Sequence, residues 1–249
     1  MTTDYTEVFR DADAVEKYEH VTYAPDSYAT RINERQQAYL RRLVDREFAG
    51  ERPVQHDFAC GTGRAIRTLH GLVRTAHGYD TSAEMMRKAA AVGSRAQWHQ
   101  VPMAGPVPDP VDAGTPAIVT MFRLLLNVDD SVRDRALAFA AKVLRTRGDG
   151  LLVVENHGNA SSLRHLRARR HTGERWFAEL SHEQVGEVLG RHGFEILERR
   201  GFSMLTPSLH GNPLARMADA AARALPGTGG FAVNVLYTAR RKAKRCGAS

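Results

Sequence analysis

The sequence has few of the residues that mark secreted or metal-binding proteins. Two of its 249 residues are cysteines, Cys60 and Cys246, and neither position suits a structural disulfide, which predicts a reducing, cytoplasmic setting. The chain has 11 histidines but no Cys-x-x-Cys pair and no His-x-x-x-His pair with a glutamate. Because zinc sites depend on such spacings, no metal is expected.

Long apolar runs are also missing. No stretch of about 20 apolar residues occurs, so no membrane span is predicted, and the N-terminus lacks the basic-then-apolar pattern of a signal peptide. The sequence contains neither a Gly-x-Ser-x-Gly motif nor a Walker-type loop, which argues against an α/β-hydrolase or a P-loop nucleotidase.

The remaining composition is that of an ordinary globular domain. Hydrophobic residues make up 43% and charged residues 25% of the chain, and its length fits one large α/β domain. The net charge of +7 is concentrated in residues 164–170 and 240–245. Nucleic-acid binding is an alternative, but no aromatic residues interleave with the basic C-terminal run, so solvated surface is the favoured interpretation. The abundance of arginine and alanine is typical of bacteria with GC-rich genomes.

The most informative stretch is residues 54–66. It begins apolar and β-prone, passes an acid, Asp57, and then becomes small and glycine-rich at Gly61 and Gly63 before a helix. Glycines let the backbone approach a ligand closely, and such a turn suits a pyrophosphate or a nucleoside that carries an amino acid. The dinucleotide pattern requires a third glycine where Ile66 stands. Asp57 would repel a pyrophosphate and attract an ammonium group.

A second acid, Asp80, follows the next predicted strand. It lies about 20 residues beyond the turn, the usual distance for a carboxylate that accepts hydrogen bonds from a ribose diol.

Together these two stretches resemble the class I S-adenosylmethionine (SAM) methyltransferases. The first motif of that family usually reads Asp/Glu-x-Gly-x-Gly-x-Gly, and this chain matches from Asp57 to Gly63 with Ala59 in place of the first glycine. The second motif often reads Gly-x-Asp-x-Ser-x-x-Met and matches from Gly78 to Met85. Ala59 is tolerable if its φ is negative.

The resemblance implies SAM as the cofactor and a set of residues around it. An acid often follows strand 3 in the family to bind the adenine amine, but here Gln100 or a backbone carbonyl would substitute. Tyr23 and Arg31, in a helical arm over the site, could contact the sulfonium or the SAM carboxylate, or could simply pack and face solvent. The residues expected to bind SAM are Asp57, Ala59, Cys60, Gly61, Gly63, Asp80, Thr81, Met85, Val101, Met103, Phe122, Tyr23 and Arg31.

Strands alternate with helix-length segments along the chain, which predicts right-handed crossovers. The expected fold is a Rossmann-like, doubly wound, mostly parallel seven-stranded α/β sheet whose last strand, Phe231–Tyr237, is antiparallel. One domain, residues 1–249, is predicted. It comprises an N-terminal helical lid at 1–50, a SAM-binding core at 51–157, an insertion at 158–180 and the rest of the sheet at 181–249. The first part could equally be a helix that covers a sheet edge.

The candidate catalytic residues follow strands 4 and 5, where open parallel sheets place their sites. His157 is the best candidate base because histidine titrates near neutrality, although a structural role is the alternative. Arg123 could orient an anionic acceptor or pair with Glu155 as scaffold, and Asn127 breaks the same apolar run. The two stretches that contain these residues resemble the motifs Phe-Arg-x-Leu-Leu-Asn and His-Gly-Asn-x-x-Ser-Leu-Arg of a bacterial subgroup. This resemblance implies no particular substrate.

The predicted function is methyl transfer from SAM to an O or N nucleophile of a small molecule, a bacterial secondary metabolite or sugar. The alternatives are a nucleic-acid methyltransferase, a SAM-binding cyclase or regulatory protein that no longer transfers methyl, and, more distantly, a nicotinamide dehydrogenase. The expected partner is the small-molecule acceptor, with no membrane. A homodimer is compatible with the sequence, which does not determine the oligomeric state.

Overall fold

The computed structural model describes residues 27–112, 116–162, 165, 179–204, 209, 211–224 and 228–243. We number its strands and α-helices in chain order. The strands are β1 Val54–Phe58, β2 Ala76–Asp80, β3 Gln97–Gln100, β4 Ala117–Met121, β5 Gly150–Asn156, β6 Phe194–Ser203 and β7 Asn234–Arg241. The helices are α1 Tyr28–Phe48, α2 Arg64–Leu69, α3 Ala83–Ala91, α4 Asp130–Val143, α5 His182–Arg191 and α6 Pro213–Ala224.

The strands form one seven-stranded sheet in the order β3-β2-β1-β4-β5-β7-β6. β1 to β5 are mutually parallel, whereas β7 runs antiparallel to both β5 and β6. The predicted Rossmann-like α/β fold is confirmed. The order reverses between β1 and β4, which is where open sheets of this type bind ligands.

The last strand lies further along the chain than its sequence pattern predicts. Phe231 belongs to a short 3-10 turn, Thr228–Phe231, and is 47% exposed, so the predicted start of the strand is wrong. Residues 234–239 of β7 are all buried. Both faces of this strand are covered, so it carries no alternation of apolar and polar residues from which its start could be read.

Helices cover both faces of the sheet. Leu40 and Leu43 of α1 pack with Ile118 of β4 and Val153 of β5 on one face. On the other face, Phe139 and Leu137 of α4 pack in the same cluster as Val119 and Met121 of β4 and residues of α5. Neighbouring residues of β4 therefore contact opposite layers, as the two-residue period of a strand requires.

α1 begins with a capped first turn. Ser27 is its N-cap, and its hydroxyl accepts a hydrogen bond from the backbone N–H of Thr30 at 3.1 Å. The helix ends at Ala49, whose φ is 48°. Residues 1–26, including Tyr23 and most of the predicted lid, lie outside the described residues. Among the helices that the structure describes, none has an apolar stretch long enough to cross a membrane.

The predicted insertion at 158–180 begins and ends in one place. Asn159 and Leu180 form an isolated parallel bridge, and the side chain of Asn156 donates to the carbonyl of Leu180 at 2.9 Å. The two ends of the predicted insertion are therefore joined next to the carboxyl end of β5.

A stack of buried rings lies across β1, β2 and β3. The imidazoles of His56 and His77 are stacked with centroids 5.2 Å apart, and Tyr79 stacks on His99 at 4.7 Å. His56 and His77 are fully buried. This ring stack immediately precedes the two acids, Asp57 and Asp80, along β1 and β2.

Candidate active site

The turn after β1 holds three residues in the left-handed region within five positions. Ala59 has φ 59°, Gly61 has φ 52° and Gly63 has φ 73°. The condition of a negative φ, under which Ala59 would be tolerable, is therefore not met, because the turn keeps the geometry that a glycine would supply. A non-glycine residue in this region carries a cost of about 1–2 kcal/mol.

The turn is held by close side-chain packing in addition to its backbone angles. A Cβ added to Gly63 would lie 2.5 Å from the Ser94 hydroxyl oxygen, and one added to Gly78 would lie 2.7 Å from the Trp98 ring. Both glycines are therefore required by contact. Cys60 is buried within the same turn, and burial raises the pKa of its thiol well above the ordinary value, so the thiol is uncharged.

Asp57 lies at the carboxyl end of β1 and is 2% exposed. Thr120, its partner in register on β4, donates its hydroxyl to Asp57 Oδ1 at 2.6 Å. Gln55 Nε2 donates to the oxygen of Thr120 at 3.3 Å, so the single hydroxyl hydrogen of Thr120 is directed at Asp57. Burial raises the pKa of Asp57 to about 7, although Thr120 and the positive charge of Arg64 oppose the shift.

Asp80, at the end of β2, supports the same turn from the other side. Its Oδ2 accepts the backbone N–H of Gly61 at 2.7 Å, and its Oδ1 accepts that of Ser82 at 2.9 Å. Burial raises the pKa of Asp80, against these hydrogen bonds. The backbone N–H of Thr81 also interacts with this carboxylate, and a carboxylate has about four lone-pair positions, so Asp80 retains capacity for a further donor.

A cavity of about 420 Å³ opens beside Asp80, at the ends of β2 and β3. It brings together three of the predicted SAM-binding residues, Thr81, Val101 and Met103, but is not lined by Met85 or Phe122. Gln100, the expected substitute for an acid, donates its Nε2 to the Thr81 carbonyl at 3.2 Å. The lining residues are Thr81, Ser82, Ala83, Glu84, Arg87, Gln100, Val101, Pro102 and Met103.

A second polar cluster surrounds Glu155 at the end of β5. Its Oε1 accepts Gln36 Nε2 at 2.7 Å, and its Oε2 accepts the backbone N–H of Arg123 at 3.1 Å and Arg64 Nη2 at 3.4 Å. Glu155 is 3% exposed. Burial alone would raise the pKa of Glu155, but the charges of Arg64 and its neighbours outweigh burial and hold the pKa below the usual value. Glu155 is therefore ionised.

Arg123 adopts a φ of 56°, which directs its N–H to Glu155. Asn127 Nδ2 donates to the Arg123 carbonyl at 2.5 Å, so Asn127, predicted as a catalytic residue, also supports this bend. Phe122 lies under the guanidinium of Arg64, 5.6 Å from its ring centroid. Phe122 therefore belongs to the Glu155 cluster and not to the cavity beside Asp80.

His157 follows Glu155 by two residues. Its Nδ1 is buried and has no hydrogen-bond partner among the described residues. Burial, helped by the charge of Arg123, lowers the pKa of His157 to about 4. The expectation that His157 titrates near neutrality is therefore wrong, and its imidazole is neutral at physiological pH.

Sequence reasoning missed Gln36, Arg64 and Thr120. Gln36 interrupts the apolar stripe of α1, and Thr120 interrupts an apolar strand, so in both cases a polar residue at a core position was the signal. Arg64 had no such signal because it directly follows the glycine turn.

Arg31, predicted to bind SAM, is half-buried in the first turn of α1. The described residues contain no group of three or more His, Cys, Asp or Glu side chains that could hold a metal ion.

A family model described as a methyltransferase domain matches residues 32–199. The match covers more than half of the sequence, so the chain belongs to this methyltransferase family, and the protein is a SAM-dependent methyltransferase. No curated protein sequence is significantly similar to it.

Solved structures share the fold at low sequence identity. The magnesium protoporphyrin IX methyltransferase of Synechocystis PCC 6803, crystallised with S-adenosylhomocysteine (SAH), has a TM-score of 0.59 and 14% identity, covering 97% of this chain and 99% of that chain. A Thermotoga maritima SAM-dependent methyltransferase, described as a possible histamine N-methyltransferase, has a TM-score of 0.56 and 18% identity, covering 96% and 100%. The cyclase SpnF has a TM-score of 0.52 and 23% identity, covering 82% and 80%.

Proposed function

We propose that the enzyme transfers the methyl group of SAM to a hydroxyl oxygen or an amine nitrogen of a small molecule bound beside Glu155 and His157. The observation that carries this proposal is the position of the polar Glu155 cluster at the carboxyl ends of β4 and β5, next to the glycine turn. Open parallel sheets bind their ligands at the carboxyl ends of the strands, and this cluster brings an ionised carboxylate, two arginines and an imidazole to that position. A bacterial secondary metabolite or a sugar would fit this chemistry.

The cofactor would lie across the ends of β1 and β2. Asp57 would attract its ammonium group, the remaining acceptor capacity of Asp80 would bind a ribose hydroxyl, and the cavity lined by Thr81, Val101 and Met103 would take the adenine. This arrangement directs the amino-acid end and the sulfonium toward Arg64 and the Glu155 cluster. The methyl group would then lie between the two sites.

The chemistry requires alignment and the loss of one proton. SAM would supply the methyl group, whose S–CH₃ bond is exchanged for an O–CH₃ or N–CH₃ bond, so that a hydroxyl acceptor would become a strongly acidic oxonium and an amine acceptor a weakly acidic ammonium ion. The neutral imidazole of His157 would accept the proton late in the reaction and pass it to solvent. For a hydroxyl acceptor, a base with a pKa of about 4 suffices at that stage, because a methylated hydroxyl is a far stronger acid than the free one. An amine acceptor that is neutral when it binds needs no base for the transfer itself. The adjacent ionised Glu155 would stabilise the imidazolium.

The test begins with radiolabelled SAM and a panel of hydroxyl- and amine-bearing acceptors, which identifies one that the wild type methylates. With that acceptor, His157→Ala should lower kcat by about 10²-fold, the lower range for loss of a general base, while the affinity for SAH by calorimetry changes by less than about twofold. His70→Ala is the matched control, because His70 is exposed and lies away from the cluster.

Three outcomes decide the proposal. Unchanged turnover in His157→Ala would remove His157 from the mechanism. SAH binding without methylated product from any acceptor would refute small-molecule methyl transfer and would favour the SAM-binding cyclase alternative. Activity on oligonucleotides that falls steeply with salt, with none on small molecules, would favour the nucleic-acid alternative.

A further inference from the structure

Gln36 is the polar exception on the buried face of α1. The other buried residues of this helix are Ile32, Tyr39, Leu40, Leu43, Val44 and Phe48, all of which pack in one hydrophobic cluster. Gln36 itself is only 1% exposed. A leucine at this position would extend the apolar stripe, so the amide requires an explanation beyond packing.

The orientation of this amide is fixed by its chemistry. The Gln36 atom that lies 2.7 Å from Glu155 Oε1 must be the nitrogen, because an ionised carboxylate can only accept hydrogen bonds. Glu155 is held in its ionised form by Arg64 and by the backbone N–H of Arg123. The amide oxygen of Gln36 is therefore turned away from the carboxylate.

That oxygen is buried and has no hydrogen-bond partner among the described residues. An unsatisfied buried acceptor is rare in native structures and costs folding free energy. His157 Nδ1, in the same cluster, is also buried without a partner among the residues described. Both side chains interact with Glu155. The Gln36 oxygen can only accept, so it calls for a ligand that supplies a hydrogen-bond donor, whereas the role of His157 Nδ1 depends on its tautomer.

We propose that Gln36 Oε1 selects the acceptor by accepting a hydrogen bond from its hydroxyl or amino N–H group, and that Glu155 is the positioning residue that holds the amide. The acceptor is therefore a neutral donor, such as a phenol or an alcohol, and not a carboxylate. This inference rests on the proposed function, since it places the acceptor in the Glu155 cluster. The half-buried ring of Phe122 beside Arg64 makes an aromatic hydroxyl compound a suitable probe.

The binding test compares three probes that differ in one group. Phenol carries a donor, anisole replaces its hydrogen with a methyl group, and benzoate is an anion. Each is titrated into the SAH-saturated enzyme, and the Gln36 side-chain amide is followed in ¹H–¹⁵N spectra, where its signals are assigned by their loss in Gln36→Leu. We expect phenol to shift these signals, and anisole and benzoate at the same concentration to leave them within error.

Equal shifts from phenol and anisole, stronger binding of benzoate, or no shift with phenol would each overturn the proposal. Gln37→Leu is the matched control, because Gln37 is the adjacent glutamine of the same helix but is not buried. It should retain the response to phenol. Glu155→Gln should reduce the preference for phenol over anisole, because a neutral amide can also donate and no longer fixes the orientation of Gln36.

Steady-state kinetics distinguish selection of the acceptor by Gln36 from a merely structural role of this residue. With an acceptor that the wild type methylates, Gln36→Leu should raise the acceptor KM about tenfold or more, with a smaller change in kcat and unchanged SAH affinity. A loss of kcat alone, or equal loss in Gln37→Leu, would contradict the assignment. If the enzyme methylates no small molecule but the phenol preference remains, the proposed function fails while the role of Gln36 in ligand selection stands.

Discussion

Ala59 offers the most direct test of how the turn after β1 is built. Its φ of 59° costs an alanine about 1–2 kcal/mol, whereas glycine reaches the same conformation freely but loses about 0.5–1 kcal/mol more conformational entropy on folding. The difference predicts that Ala59→Gly raises the free energy of unfolding by about 0.5–1 kcal/mol. The substitution also restores the glycine of the family motif.

Urea unfolding measures this change through the shift in midpoint at constant slope. Ala38→Gly is the control, because Ala38 is exposed within α1 and glycine there should lower stability by about 1 kcal/mol. Destabilisation by Ala59→Gly, or equal effects at both sites, would refute the argument that the turn is strained. A gain in SAH affinity would additionally show that the Ala59 methyl group crowds the cofactor.

Two further predictions concern pH. SAH affinity should rise about tenfold between pH 6 and pH 8, since Asp57, whose pKa is about 7, attracts the ligand's ammonium only when charged; a flat calorimetric profile would contradict the role of Asp57. Burial is the main cause that lowers the pKa of His56 to about 4. Below about pH 6.5 this histidine is therefore protonated in the unfolded chain but still neutral in the folded chain. The free energy of unfolding consequently decreases as the pH falls from about 6.5 toward 4. Because the raised pKa of Asp57 acts in the opposite direction over the same range, the measurement is the difference between wild type and His56→Phe. The stability advantage of the wild type should shrink by about 2–3 kcal/mol between pH 7 and pH 4.5, and an advantage that does not change with pH would contradict this account.

The sequence predicted the sheet because each core strand is followed by a helix-length segment, and it predicted the turn because Asp57, Gly61 and Gly63 have few alternative explanations. The φ of Ala59 could not be predicted, because an alanine normally avoids the left-handed region and only the surrounding contacts force it there. The protonation state of His157 was also inaccessible, since its low pKa depends on burial and on Arg123, which is distant in sequence.

The full Glu155 cluster could not be predicted from the sequence either. Gln36, Arg64 and Glu155 come from α1, α2 and β5, so only the folded chain brings them together. The sequence suggested the pair of Arg123 and Glu155, because both polar residues lie at the ends of predicted strands. The polar residue at a buried helical position was the signal for Gln36, but it was overlooked and could not have indicated the partner.

β7 lies between β5 and β6, although it follows both of them along the described part of the chain. During synthesis β5 therefore keeps an open edge until residues 234–241 have left the ribosome, and β6 has no neighbour before then. Unpaired strand edges favour association with other chains. A chain that stops before residue 234 would therefore expose the edges of both β5 and β6, the kind of surface that promotes aggregation.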